Sequence, residues 1–169
     1  MDLVLAFNST SNLLTDARQI IDQTKELAFR SVNVAMLQRN WYLGKRISEE
    51  ILQGEDRAEY GSQVILQLSK ELTDIYGKGF GKNNLYRNVQ FFKLFPNIFP
   101  TLSGQSKLLT WSHYTLLLSI SNDDARAWYA DEAYREGWSV RTMQRNISSQ
   151  YYHRMLLSHH KEGVREEMK

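Results

Sequence analysis

Lys78, Lys82, Asn83, Asn84, Arg87 and Asn88 crowd into one short stretch of the 169-residue chain. Lysine and arginine neutralise phosphates, and a carboxamide can pair bidentately with the edge of adenine. This mixture suits nucleic-acid binding better than bond cleavage. Arg141 and Arg145 make a second basic group further on. From Ile75 to Asn122 there is not one Asp or Glu, and the same holds from Gly137 to Lys161. The whole chain carries only +2, so its 19 acids are confined to the remainder. Segregated charge of this kind can present a positive face to a polyanion. The plainer alternative is a set of solvated helix faces that lack acids.

Other chemistry is weakly supported. GKGFGK at Gly77–Lys82 superficially looks like a phosphate loop, but the first glycine is missing and the residue after the lysine is Asn, with no strand before it. Its glycines are better read as shaping a turn whose amides could cradle a DNA phosphate. Ser112 next to His113 lacks the third partner that a nucleophilic triad needs. A capping serine and a surface or half-buried histidine are the simpler reading. His153, His159 and His160 have no cysteine or carboxylate at ligand spacing, so neither a metal nor any other cofactor is expected. Trp41, Trp111, Trp128 and Trp138 fit core packing, with Trp111 and Tyr86 as the two aromatics that could reach a base or sugar.

The elements that would position the basic residues follow from periodicity. Ile65, Leu68, Leu72 and Ile75 recur at helical spacing, Gly77 offers a stop, and Leu85, Val89 and Phe92 begin a second helix. Helix, glycine-rich turn and basic helix together have the outline of a helix-turn-helix, with Asn84, Arg87 and Asn88 on the outer face. Upstream, one helix is expected over Thr15–Phe29 and another over Val32–Leu52. The apolar stripe from Val34 to Ile51 on the latter reads as core or as a dimerisation surface. Asp56–Tyr60 is read as a polar link and Ser62 as the next N-cap. Pro96 and Pro100 mark an internal boundary, in a loop where Phe95, Ile98 and Phe99 should pack on the domain. Beyond it, Thr110 or Ser112, then Ser121 with Asp124, then Ser139 are expected to cap three more helices, the last reaching Leu156.

The expected fold is therefore mainly α, a multi-helix single domain containing a helix-turn-helix. A small β-hairpin in the proline loop, as a wing, stays open. Residues 1–14 read as an arm and 15–155 as the helical domain, with subdomains at about 15–95 and 108–155. Residues 156–169 read as a charged tail. Zero cysteines exclude disulfides and thiolate sites and fit a reducing cytoplasm. The N-terminus has too short an apolar run for a signal peptide, and no run is long enough to span a membrane.

Several stretches together are similar to a known family. They are RNWYLGKRI (39–47), AEYGSQVILQLSKEL (58–72), YGKGFGKNNLYRNVQFF (76–92), LLTWSHYTLLL (108–118) and GWSVRTMQRNI (137–147). In this order the chain resembles the N-terminal domain of the YhcG-like bacterial proteins. That resemblance implies a DNA-binding helical domain preceding a PD-(D/E)xK nuclease domain. Gly81 departs from the family's usual serine and removes an N-cap hydroxyl from the second helix of the motif. The nuclease signature itself is missing, since Glu167-Met168-Lys169 is only an isolated triplet at the end of the chain. The expectation is a non-catalytic DNA-targeting module, either shortened or standing alone. Its partner would be duplex or structured DNA, and a homodimer is an option. The alternative is a helical dimerisation or protein-interaction module that does not touch nucleic acid.

Overall fold

The computed structural model describes residues 7–52, 57–99 and 108–158. All the regular structure among them is helical. Helix α1 (Leu13–Leu52) is one 40-residue rod where the sequence suggested two helices. Neither Gly nor Pro interrupts the expected junction. There the Ser31 hydroxyl donates back to the Leu27 carbonyl at 2.8 Å, which is compatible with a continuing helix. The rod starts after Asn12, whose side-chain oxygen accepts the Thr15 N–H at 3.1 Å. Asp16 accepts both the backbone N–H and the hydroxyl of Thr10, at 3.0 and 2.6 Å.

Helix α2 (Arg57–Tyr76) begins well before Ser62, so that serine is inside the helix and caps nothing. Gly77 ends it with φ 89°, a left-handed geometry that disfavours any side chain. A 3-10 turn over Lys78–Phe80 leads into α3 (Lys82–Leu94). Gly81 takes the N-cap position of α3 and makes no side-chain cap bond.

Helix α3 lies against α1 along the stripe from Val34 to Ile51. That stripe is therefore core: Leu37, Trp41, Gly44 and Ile47 are buried, and it offers no docking surface. Contact is closest at Gly44. A Cβ there would overlap the carbonyl of Asn88 on α3. A small cluster of Ile47, Ile65, Leu85 and Val89 joins α1, α2 and α3. The main core continues from Leu37, Trp41 and Phe91 into the second half of the chain. Phe91 is fully buried and meets Trp111 at 5.3 Å and Tyr114 at 5.0 Å between ring centres. The loop after α3 packs as expected. Phe95, Ile98 and Phe99 lie against the core, and the Trp41 indole donates to the Phe95 carbonyl at 3.0 Å. Most of the stretch proposed for a wing, 100–107, is outside the described residues, and the described ones contain no strand.

The second half holds α4 (Trp111–Leu117), α5 (Asp123–Arg135), α6 (Val140–Ser148) and α7 (Tyr151–Leu157). The cap of α5 is Asn122, accepting the Ala125 N–H at 2.7 Å, one residue later than the Ser121 box expected. Gly137, at φ 62°, closes α5 in a Schellman arrangement: Trp138 N–H donates to Ala133 O at 2.9 Å, and Gly137 N–H to Tyr134 O at 3.4 Å. Ser139 caps α6 through the Thr142 N–H, as expected. The helix expected to continue through Gln150 is broken there. Gln150 takes φ 53°, and α7 departs in a new direction that buries Tyr151 and Met155. With no Gly or Pro at the break, only tertiary packing sustains a conformation that costs roughly 1–2 kcal/mol.

The crossing at Gly44 predicts that Gly44→Ala destabilises the fold by about 3 kcal/mol or more, because backbone must move to admit the methyl group. Gly79→Ala, whose added Cβ would meet nothing within 4 Å, should stay within about 0.5 kcal/mol. Urea melts of the two variants measure the difference.

Candidate nucleic-acid interface

The turn and the first two turns of α3 hold five of the six clustered residues at the surface. Lys78, Lys82, Asn83 and Arg87 are exposed, and Asn84 is half-buried. Asn84 works within the group. Its amide nitrogen donates to Gly79 O at 3.0 Å, and its oxygen accepts from the Arg87 guanidinium at 3.2 Å. It thus ties the turn to the helix and aims Arg87. Asn88 does not take the outward position expected of it. It is only 4% exposed and lies on the side of α3 that meets Gly44, so it is not on the outer face. Its place follows from helical geometry: Leu85, Asn88 and Phe91 share one inward face, at three-residue spacing.

Two residues join this corner that sequence reasoning did not include. The Arg39 guanidinium, from α1, lies over the Phe80 ring at 5.3 Å. Tyr76, 67% exposed at the end of α2, also meets Phe80, at 5.7 Å between ring centres. No local signal marks Arg39, because it is brought in by the packing of α1. Tyr86, 40% exposed, carries the Lys82 ammonium 5.8 Å from its ring centre. Trp111, the other aromatic considered, is half-buried and packs on the core against Phe91.

The ion pairs of the described residues lie away from this corner. Arg46, Arg126 and Arg135 each have a carboxylate partner. Among the described residues Lys78, Lys82 and Arg87 have none. The N-terminal end of α3 adds its own partial positive charge. Arg141 and Arg145 are exposed on α6. That helix packs on α4, α5 and α7, whereas α3 packs mainly on α1 and α2, so the two basic groups are held by different elements.

A family model described as the DUF1016 N-terminal domain matches residues 16–154. The chain is 37% identical over 174 aligned positions to the Putative nuclease YhcG of Escherichia coli (strain K12). The match covers 86% of this chain and 46% of that protein, so the chain spans about half the length of its relative. No solved structure matches.

The remaining polar chemistry is structural. His113 is buried, with Nδ1 2.7 Å from the Thr110 hydroxyl and Nε2 3.0 Å from the Trp138 carbonyl. A carbonyl can only accept, so Nε2 carries the proton and Nδ1 accepts from Thr110. Both ring nitrogens are occupied, and Ser112 gains no base. Burial pushes His113 below the ordinary histidine value, opposed by the Trp138 hydrogen bond. Burial likewise pushes Tyr114 up to about 12 and raises Tyr129. His153 is exposed, and His159 and His160 are outside the described residues. No group of three or more potential metal ligands gathers among the described residues. No helix among them is long and apolar enough to cross a membrane.

His113 yields a pH prediction. Its folded-state pKa is lowered, so below the ordinary value of 6.5 the unfolded chain binds a proton that the folded chain refuses. Stability should therefore be intact above that value and decline as pH falls through it towards the folded pKa. His113→Gln keeps a donor for Trp138 O and should flatten this decline. Melting temperatures across roughly pH 5 to 8 measure it. An equal decline in the variant would remove His113 as the cause.

Proposed function

The chain belongs to the DUF1016 N-terminal domain family, and from that premise we propose that it is the DNA-binding part of a nuclease-associated bacterial protein. In this reading α2, the Gly77–Gly81 turn and α3 act as a helix-turn-helix, with α3 as the recognition helix. Lys78, Lys82 and Arg87 contact phosphates, and the free amides of the first turn of α3 add to them. Asn83 faces base edges. Asn84 positions Arg87 instead of reading a base. Arg141 and Arg145 supply a second set of phosphate contacts. Cleavage is assigned to residues outside this chain, and the chain alone is non-catalytic. The reading places it in the bacterial cytoplasm.

The observation that carries this reading is the gathering of Lys78, Lys82 and Arg87 around the start of α3, with no carboxylate partner among the described residues. Exposed charges left unpaired beside a helix N-terminus favour an anionic ligand. One protein similar to this chain carries the name Putative nuclease YhcG, and a nuclease acts on such an anion.

Binding to labelled duplex, single-stranded and branched DNA should be measured across a salt series. Each phosphate contact contributes a slope of about −0.9 in log K against log salt. The double variant Lys82→Ala with Arg87→Ala should weaken binding and flatten the slope by about 1.8. Unchanged affinity and slope would remove the corner as the site. Incubation of the unaltered chain with DNA and Mg²⁺ should leave the DNA intact.

A further inference from the structure

The N-terminal half of α1 runs on past the rest of the fold. Between Asp16 and Leu37 no residue of α1 is buried. Among the described residues, the first side chain of this helix to bond a distant element is Asn33, which donates to Leu109 O at 3.1 Å. An unsupported helix of some 20 residues is marginal in water. This one nevertheless displays apolar residues in order. Leu13, Ile20 and Leu27 fall seven apart, with Leu14, Ile21 and Ala28 beside them. Ala17, Thr24 and Ser31 complete the heptad seam. Leu13 is 84% exposed, Leu14 62% and Ile21 51%. Arg18, Asp22, Lys25 and Glu26 lie off this seam.

We propose that this arm pairs with the same arm of a second copy of the chain, in antiparallel orientation. Residue size decides the direction. One position of the seam is always large and the other always small. A parallel pair would set Ala17 on Ala17 and Thr24 on Thr24, leaving gaps in the layer. Antiparallel pairing sets Ala17 against Leu27, Thr24 against Ile20 and Ser31 against Leu13. Leu14 then meets Ala28, and Ile21 meets its own copy at the two-fold axis. The helix dipoles also oppose each other in this orientation. The seam over Leu13–Ala35 is about 34 Å long and one helix wide. That is a small interface, below about 1,200 Å² in total, which suits a weak, reversible dimer. This pairing does not depend on the DNA-binding reading.

The full chain should be measured by light scattering at about 100 µM, above the Kd of a weak micromolar dimer. A mass twice the 19.8 kDa of one chain is expected. Ile21→Glu places two carboxylates together at the axis and should restore the monomer, with helical circular dichroism unchanged. The chain has no cysteine, so Leu14→Cys and Ala28→Cys can be cross-linked by a short bis-maleimide without background. A mixture of the two should link, and neither alone should link to itself. An unaltered chain that is monomeric at this concentration would leave the arm to some other partner and overturn the proposal. So would self-linking by either single variant in preference to the mixture, or a dimer that survives Ile21→Glu.

Discussion

Much of the first half of the chain follows from one close approach. Gly44 on α1 meets the backbone of Asn88 on α3 with no room for a methyl group between them. Two helices held that near have little freedom to rotate about their own axes. Leu85, Asn88 and Phe91 must then face inward, and Lys82, Asn83 and Arg87 must face outward. The same contact lets Phe91 reach Trp111 and Tyr114, which couples the α1–α3 pair to the second half of the chain. The surface chemistry of α3 is in this sense a consequence of what is missing at Gly44.

The second half is held by buried polar anchors as well as by apolar packing. The Arg126 guanidinium donates to Ile120 O at 2.8 Å and to Asp123 at 2.7 Å, clamping the α4–α5 connection. His113 bridges α4 to the Trp138 carbonyl ahead of α6. The Tyr129 hydroxyl donates to Asn146 O at 3.1 Å and accepts the Tyr152 N–H at 3.0 Å, joining α5 to α6 and α7. Buried groups of this kind are costly to leave unpaired, so each bridge specifies one arrangement of short helices that would be unstable separately. Arg141 and Arg145 owe their exposure to that arrangement, since Met143 and Asn146 take the inner face of α6.

The helices with strong punctuation were legible. Gly77 and Gly137 end α2 and α5, and Ser139 starts α6, because a left-handed glycine and a capping hydroxyl are local signals. Where the signal is weak, the reading failed. No residue between Phe29 and Val32 breaks a helix, yet a lapse in the apolar pattern looked like a boundary. The turn at Gln150 carries neither Gly nor Pro, and its left-handed backbone exists only because Tyr151 and Met155 find a core to enter. Most of the basic corner was legible from residue type and from the long stretch without acids. Asn88 was misplaced because a periodicity of three or four residues locates a face only to within one neighbour. Arg39 was missed because nothing local connects it to the Gly77–Gly81 turn.

By itself, the sequence determined the helical class, the family, the concentration of positive charge around the start of α3 and the helix ends that local chemistry can write. These depend on composition, spacing and caps, which act over a few residues. Tertiary structure decided which residues of α3 face outward, how Arg39 joins them and how far α1 extends beyond the core. It also decided that His113 is a neutral strut in the interior. Those outcomes depend on which backbones approach closely and which groups lose water, and both are properties of the assembled chain.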